Sequence, residues 1–251
     1  MAQLLDLLRA GGSTSTVSVM HACRPIDCGY QLLRLGGAAD GGYLVPDDLH
    51  GLRALFSPGV AESSALEMDF AGRGIPCFLA DRSVAGPAEP HPLFHFTRKH
   101  LGTTNDSSTI RLADWIDAHC PGSDDLALQM DIEGAEYRVL QDCPAATLQR
   151  FRIIVIELHH CARIARPWAN GPIINLLRRL LETHAVAHVH ANNQARPRRW
   201  FGLRLHPLLE FTFLRRDRLR GSGGPAHLPH PLDRPNVPSK PEWALDPAWL
   251  R

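Results

Sequence analysis

The chain has 251 residues, enough for one large α/β domain with a substantial core. Lys plus Arg number 27 against 26 for Asp plus Glu, a formal net charge of +1, which argues against a nucleic-acid or acidic-surface binder. Six scattered cysteines (Cys23, Cys28, Cys77, Cys120, Cys143 and Cys161) form no CxxC pair, so reduced thiols in a cytoplasmic protein are expected rather than a disulfide scaffold.

In chain order, "MAQLLDLLRAGG" carries Asp6 and Arg9 in too short an apolar run for a signal h-region or a membrane span, and reads as a short amphipathic helix. "YQLLRLGGAADGGYLVP" predicts a strand pair around a glycine-rich turn. "ALFSP" predicts a strand, "ESSALEMDFAGRG" a helix closed by Gly72 and Gly74, and "IPCFLAD" a further strand. "LFHFTRKHL" reads as one strand, and "STIRLADWIDAHC" as a helix with Ser108 or Thr109 near its cap. The stretch "LALQMDIEGAEYRVL" gives a strand and then a helix from near Ala135. The β-branched "FRIIVIELHH" is a strand, and "GPIINLLRRLLETH" is an amphipathic helix with Pro172 in its first turn. "VAHVHANN" and "LLEFTFLRRD" finish the sheet. Strands alternating with helices predict a parallel sheet with crossover helices. Past Arg220 the composition turns Pro- and Gly-rich, so a single domain is expected over residues 1–220 and an irregular arm over 221–251.

An apolar strand that stops at Asp131 raises the question of why it ends in acid. An unpaired carboxylate beside a core costs several kcal/mol, roughly, so it belongs at an edge, and in α/β folds that edge is where ligands bind. One acid alone reads as a helix cap. Asp131 and Glu133 around one turn, followed by Gly134, favour a site. The turn "SPGVAES" after the first strand lets backbone approach a ligand closely, but it is neither a GxGxxG nor a phosphate loop. Asp81, about 20 residues further on, ends the next strand where doubly wound folds place an acid on a ribose diol. Turn and acid together favour an adenosine-type ligand.

The stretches "DGGYLVPDDL", "LFSPGVAESSALEMDFAGRGIPCFLAD", "LQMDIEGAEYRVL", "IIVIELHH", "HVHANN" and "LEFTFLRRD" together resemble the FkbM-type family of S-adenosylmethionine-dependent methyltransferases, over roughly residues 30–217. The resemblance implies a Rossmann-like class I methyltransferase fold, with a seven-stranded mostly parallel sheet and an antiparallel last strand. It also implies O-methylation of a sugar, glycan or related polar hydroxyl. Carried over by position, it puts S-adenosylmethionine near Ser57, Pro58, Gly59 and Glu62, with Asp81 on the ribose and Asp131 facing the methyl group. A sulfonium is stabilised by nearby carboxylates in a water-poor cleft.

Glu157 and His159 end the neighbouring strand two residues apart, on one face. With Asp131 they form an O/N set for Mg²⁺ or Mn²⁺, as in metal-dependent small-molecule O-methyltransferases, which this arrangement resembles. In the metal-free reading Asp131 or His159 is the general base. His188, His190, Asn192 and Asn193 are placed to bind hydroxyls of the acceptor. The arginine-rich "RPRRW" and "FLRRDRLR" suit an anionic acceptor or a solvated face. The rival readings are a dinucleotide-dependent oxidoreductase using the glycine turn and Asp81, and a noncatalytic module that binds a glycan or a partner on the same fold. The oligomeric state stays open, a homo-oligomer included.

Overall fold

Strands covered on both faces read as unbroken apolar runs, because neither face meets water. Two such runs are buried at every position: β8, Leu126–Met130, and β9, Phe151–Leu158. They sit at the middle of the protein's main sheet. The computed structural model describes residues 14–60, 63–166, 168–200 and 203–249, so the amphipathic helix expected in residues 1–12 lies outside the described residues.

Helix α1, Thr14–Ala22, precedes an antiparallel pair, β1, Leu32–Leu35, and β2, Tyr43–Pro46. The main sheet then begins with β3, Ala54–Pro58, which passes through α2, Ala65–Ala71, to β4, Cys77–Ala80, and on to β5, Phe94–Thr97. The chain returns past β6, His100–Gly102, β7, Thr109–Arg111, and α3, Leu112–His119, to β8. Helices α4, Glu136–Asp142, and α5, Ala145–Arg150, lead to β9, and α6, Gly171–Thr183, leads to β10, His184–His190. A small hairpin of β11, Arg198–Trp200, and β12, Leu203–Leu205, precedes β13, Leu209–Arg215. The seven-stranded sheet has the order β10-β13-β9-β8-β3-β4-β5. Strands β5, β4, β3, β8 and β9 pair in parallel, and β13 lies antiparallel to both β9 and β10. The mostly parallel sheet is consistent with the Rossmann-like fold that the family resemblance implies.

Strand alternation sorts the core into two layers. Phe56, Leu128 and Ile154 face Trp115, Leu140 and Leu176. On the other side Leu55, Ala127 and Val155 face Phe70, Leu66 and Val45. All six cysteines are free and buried. Among the described residues no helix is long and apolar enough to cross a membrane.

Two local expectations need correction. The run 93–101 is not one strand: Phe94–Thr97 joins β4, whereas His100–Gly102 turns away to pair with β7. The helix expected from Ser108 starts only at Leu112, because the Asp106 carboxylate collects the backbone N–H groups of Ser108 (2.6 Å) and Thr109 (2.8 Å) and holds them in a turn. After β13 the described residues run without strands over the carboxyl edge of the sheet. Asp27 N–H bonds Gly224 O at 2.7 Å, Asp40 N–H bonds Asn236 O at 3.1 Å, and Trp249 packs on Phe211.

Candidate active site

The strand order reverses beside β3, whose neighbours are β4 on one side and β8 on the other, and such a switch point opens a crevice at the carboxyl ends. Here Pro58 O accepts the Asp131 N–H at 3.4 Å. Gly59 follows with φ +91°, and a Cβ at that position would overlap the carbonyl oxygen of Asp131. Glycine is therefore required by the close approach of two strand ends as well as by its backbone conformation. Sequence reasoning assigned that close approach to a ligand; the backbone of Asp131 is what comes near.

Past Asp131 the chain turns through Glu133 (φ +56°) and Gly134 (φ +96°) into α4. Neither Asp131 nor Glu133 caps this helix: the cap position is Ala135, which makes no side-chain bond. The loop is held instead by Glu136, which is fully buried. Its Oε1 accepts N–H groups from Ile132 (3.1 Å) and Gly134 (3.0 Å) and lies 3.1 Å from His159 Nδ1. A carboxylate can only accept from an imidazole, so Nδ1 carries a proton and Nε2 faces the acids. From Nε2 the distances are 3.2 Å to Glu133, 3.6 Å to Glu157 and 3.9 Å to Asp131. Tyr137 OH donates to His159 O at 2.5 Å and fixes the same residue from behind. Sequence reasoning missed Glu136. Its signal was a third acid, inside the first helical turn after "DIEG".

These groups set one another's protonation. Burial pulls His159 down, but its bond to Glu136 and the charges of Glu136, Glu157 and Asp131 outweigh it and lift the pKa to about 9. Burial raises the Asp131 carboxyl, His159 opposes the rise, and Glu133, Glu136 and Asp40 add to it, leaving about 7. Glu157 is pushed to about 9, first by burial and then by repulsion from Asp131 and Glu210.

A cavity of about 490 Å³ lies in the crevice, walled by Asp40, Tyr43, Gly59, Glu67, Gln129 and Asp131 among others. Asp131 Oδ1 is a buried acceptor with no donor among the described residues. Of the expected cofactor residues, Gly59 is on the wall. Ser57 lies beneath it, buried between the Glu67 carboxyl and the Gln129 amide oxygen (2.7 Å). Burial raises the Glu67 pKa, and the Ser57 hydroxyl, which donates to that carboxylate, opposes the rise. Pro58 supplies the backbone carbonyl to Asp131. Asp81 ends β4 away from the wall, with Oδ1 accepting Ser83 N–H and Oγ–H, both at 2.7 Å. Glu62 lies outside the described residues. Tyr43 is buried on the wall, its hydroxyl kept neutral by burial and by Glu210, Asp131 and Glu157.

The metal set expected from Asp131, Glu157 and His159 is regrouped. Ligand atoms within 4.8 Å of one another come from Asp131, Glu133 and His159 on one side and from Asp40, Glu157 and Glu210 on the other. Glu157 Oε2 accepts from Asn192 Nδ2 at 2.8 Å, opposite Glu210 in the β9–β13 register. The other expected acceptor residues engage the segment after β13 or its neighbours. His188 Nε2 lies 3.0 Å from Asp233, and His190 contacts Glu210 (3.2 Å) and Glu242 (3.6 Å). Asn193 Nδ2 donates to Val237 O and Lys240 O at 3.0 and 3.1 Å, while its Oδ1 accepts Val237 N–H.

Residues 74–184 match a family model described as the methyltransferase FkbM domain. The matched segment runs from just before β4 to the start of β10 and contains Asp81, Asp131, Glu136, Glu157 and His159. No curated protein matches the chain. The match supports a methyltransferase.

Proposed function

We propose that the protein is an S-adenosylmethionine-dependent O-methyltransferase acting on a hydroxyl of a sugar, glycan or related polar metabolite, with Asp131 as general base and His159 as its charged partner. The observation that carries this reading is the Glu136-held imidazole, whose Nε2 faces Asp131 at the rim of the crevice cavity. When bound, S-adenosylmethionine supplies an electrophilic methyl group on a sulfonium. The cavity suits such a cation: its acidic wall groups are Asp40, Glu67 and Asp131, and Asp131 Oδ1 has an acceptor site to spare. Asp40, Gly59, Gln129 and Asp131 would hold it, and Asp81 would reach the ribose.

Transfer to oxygen needs alignment and a destination for the hydroxyl proton, with little covalent help. A carboxylate with a pKa near 7 takes that proton readily at neutral pH, because the balance between free base and driving force is best there. His159, held protonated by Glu136, donates Nε2–H to the acceptor oxygen and steadies its charge as the proton leaves. The loop conformation at Glu133 places a third acid against the same imidazole edge.

A second reading is favoured by the closeness of Asp131, Glu133 and His159, which could hold Mg²⁺ or Mn²⁺. Such an ion would lower the pKa of a bound hydroxyl. Labelled methyl transfer to a carbohydrate extract separates the two. The base reading expects turnover unchanged by chelator; loss on chelation with recovery on adding Mg²⁺ or Mn²⁺ would favour the ion.

A further inference from the structure

Outside the crevice, the 3₁₀ turn Cys161–Ala165 and the hairpin strand β11 enclose a cavity of about 320 Å³ whose charged side chains are all cationic: Arg163, Arg166, Arg198 and Arg199, beside His160 and Trp200. Among the described residues no Asp or Glu lines it. Among the described residues none of these four arginines is in an ion pair, in contrast to Arg111–Asp142, Arg152–Asp125 and Arg218–Asp48. Grouping four guanidinium ions without a counter-charge raises the energy of the folded state, modestly at an exposed site, and gives no packing return. In a chain with a net charge of only +1 the grouping is local.

Its position connects it to the reaction. His160 and Arg163 also line a neighbouring cavity of about 500 Å³ that runs to Gly134 and Glu133, and Glu133 Oε2 lies 3.2 Å from His159 Nε2. The left-handed His160 (φ +60°) turns its ring against Gly134, 3.3 Å from where a Cβ would stand, so the two cavities meet at that ring. We infer that the arginine-lined cavity binds an anionic group of the methyl acceptor, a phosphate, sulfate or carboxylate, and so holds the acceptor with its hydroxyl toward His159 and Asp131. The planar forks of arginine suit such oxyanions, and Trp200 with Leu205 and Pro207 offers an apolar wall for the rest of the molecule. The acceptor part of this inference rests on the O-methyltransferase reading; the anion site itself does not.

Calorimetric titration of the full chain, with S-adenosylhomocysteine present, tests it using inorganic phosphate, glucose 6-phosphate, glucuronate and glucose. The anionic sugars should bind at least about tenfold tighter than glucose and weaken as salt rises. Arg163→Glu or Arg199→Glu should each lower that affinity by about tenfold or more, whereas Arg178→Glu, the same charge change on α6, should not. None of the three should alter S-adenosylhomocysteine affinity, so failure of the cofactor to bind the wild type would strike the methyltransferase reading separately. Absence of binding by any anionic probe, or equal loss in the Arg178 variant, would overturn the site. Phosphate binding as tightly as the phosphosugar, or tighter binding of anionic vesicles or a short RNA, would overturn the assignment to an acceptor.

Discussion

Replacing Glu136 by Gln tests how the candidate site is charged. The side chain is fully buried, and its Oε1 serves three N–H groups at 3.0 to 3.1 Å. Glutamine keeps an oxygen for the loop but removes the charge that raises His159 most. A buried charged hydrogen bond contributes about 1.5 to 3 kcal/mol, and one pKa unit corresponds to about 1.4 kcal/mol, so the imidazole pKa should fall by about one to two. The sign for stability follows. His159 has a raised pKa when folded, so its contribution is complete below about 6.5, the ordinary histidine value, and is lost as pH rises through about 9. The variant should therefore be less stable than wild type by about 1.5 to 3 kcal/mol at pH 6, with the gap closing by pH 10. Activity has the complementary form. In wild type kcat/KM should rise as Asp131 deprotonates near 7 and fall as His159 loses its proton near 9, the two limbs belonging to the coupled pair. In Glu136→Gln the alkaline limb should move to lower pH. Nitrogen-15 NMR of the imidazole, urea unfolding at several pH values and a pH–rate profile measure all of this. An imidazole titrating identically in a folded variant and in wild type would refute the reasoning.

Gly59→Ala should cost more than about 2 kcal/mol in urea unfolding, because the new methyl meets backbone that cannot rotate aside; Gly37→Ala, at φ +95° but in open space, should cost only about 1 to 2 kcal/mol of backbone strain. Asn193→Ala removes the bonds to Val237 and Lys240 and should speed amide exchange at Val237, Ser239 and Lys240 by about tenfold or more; unchanged exchange would show that this anchor is not needed. Asp81→Asn keeps an oxygen for the Ser83 turn but loses the charge, so S-adenosylhomocysteine affinity should fall about tenfold if the other oxygen reaches the ribose, and stay constant if Asp81 is only a turn former.

The alternation of apolar runs and helical patterns made most elements legible, because burial on both faces leaves an unmistakable mark in "LALQM" and "FRIIVIEL". The break at residues 98–99 was not legible, since His100–Gly102 finds its partner in β7 and nothing local announces that pairing. Asp131, Glu157 and His159 could be picked out as polar residues at strand ends. Glu136 could not, because an acid in a first helical turn reads as an ordinary dipole partner until the fold brings His159 to it. Residues after β13 carry no periodicity, so their claim on His188, His190 and Asn193 was hidden. The arginine cavity likewise joins segments more than thirty residues apart in the chain.

The central claim is tested most directly by Asp131→Asn, assayed for labelled methyl transfer to a carbohydrate extract and, in the same preparation, for S-adenosylhomocysteine binding by calorimetry. The account predicts a folded variant that retains the cofactor product within a few-fold while the transfer rate falls by about 10² to 10⁴, the usual contribution of a positioned base. Full transfer activity in that variant, or a wild-type protein that binds no S-adenosylhomocysteine, would contradict it.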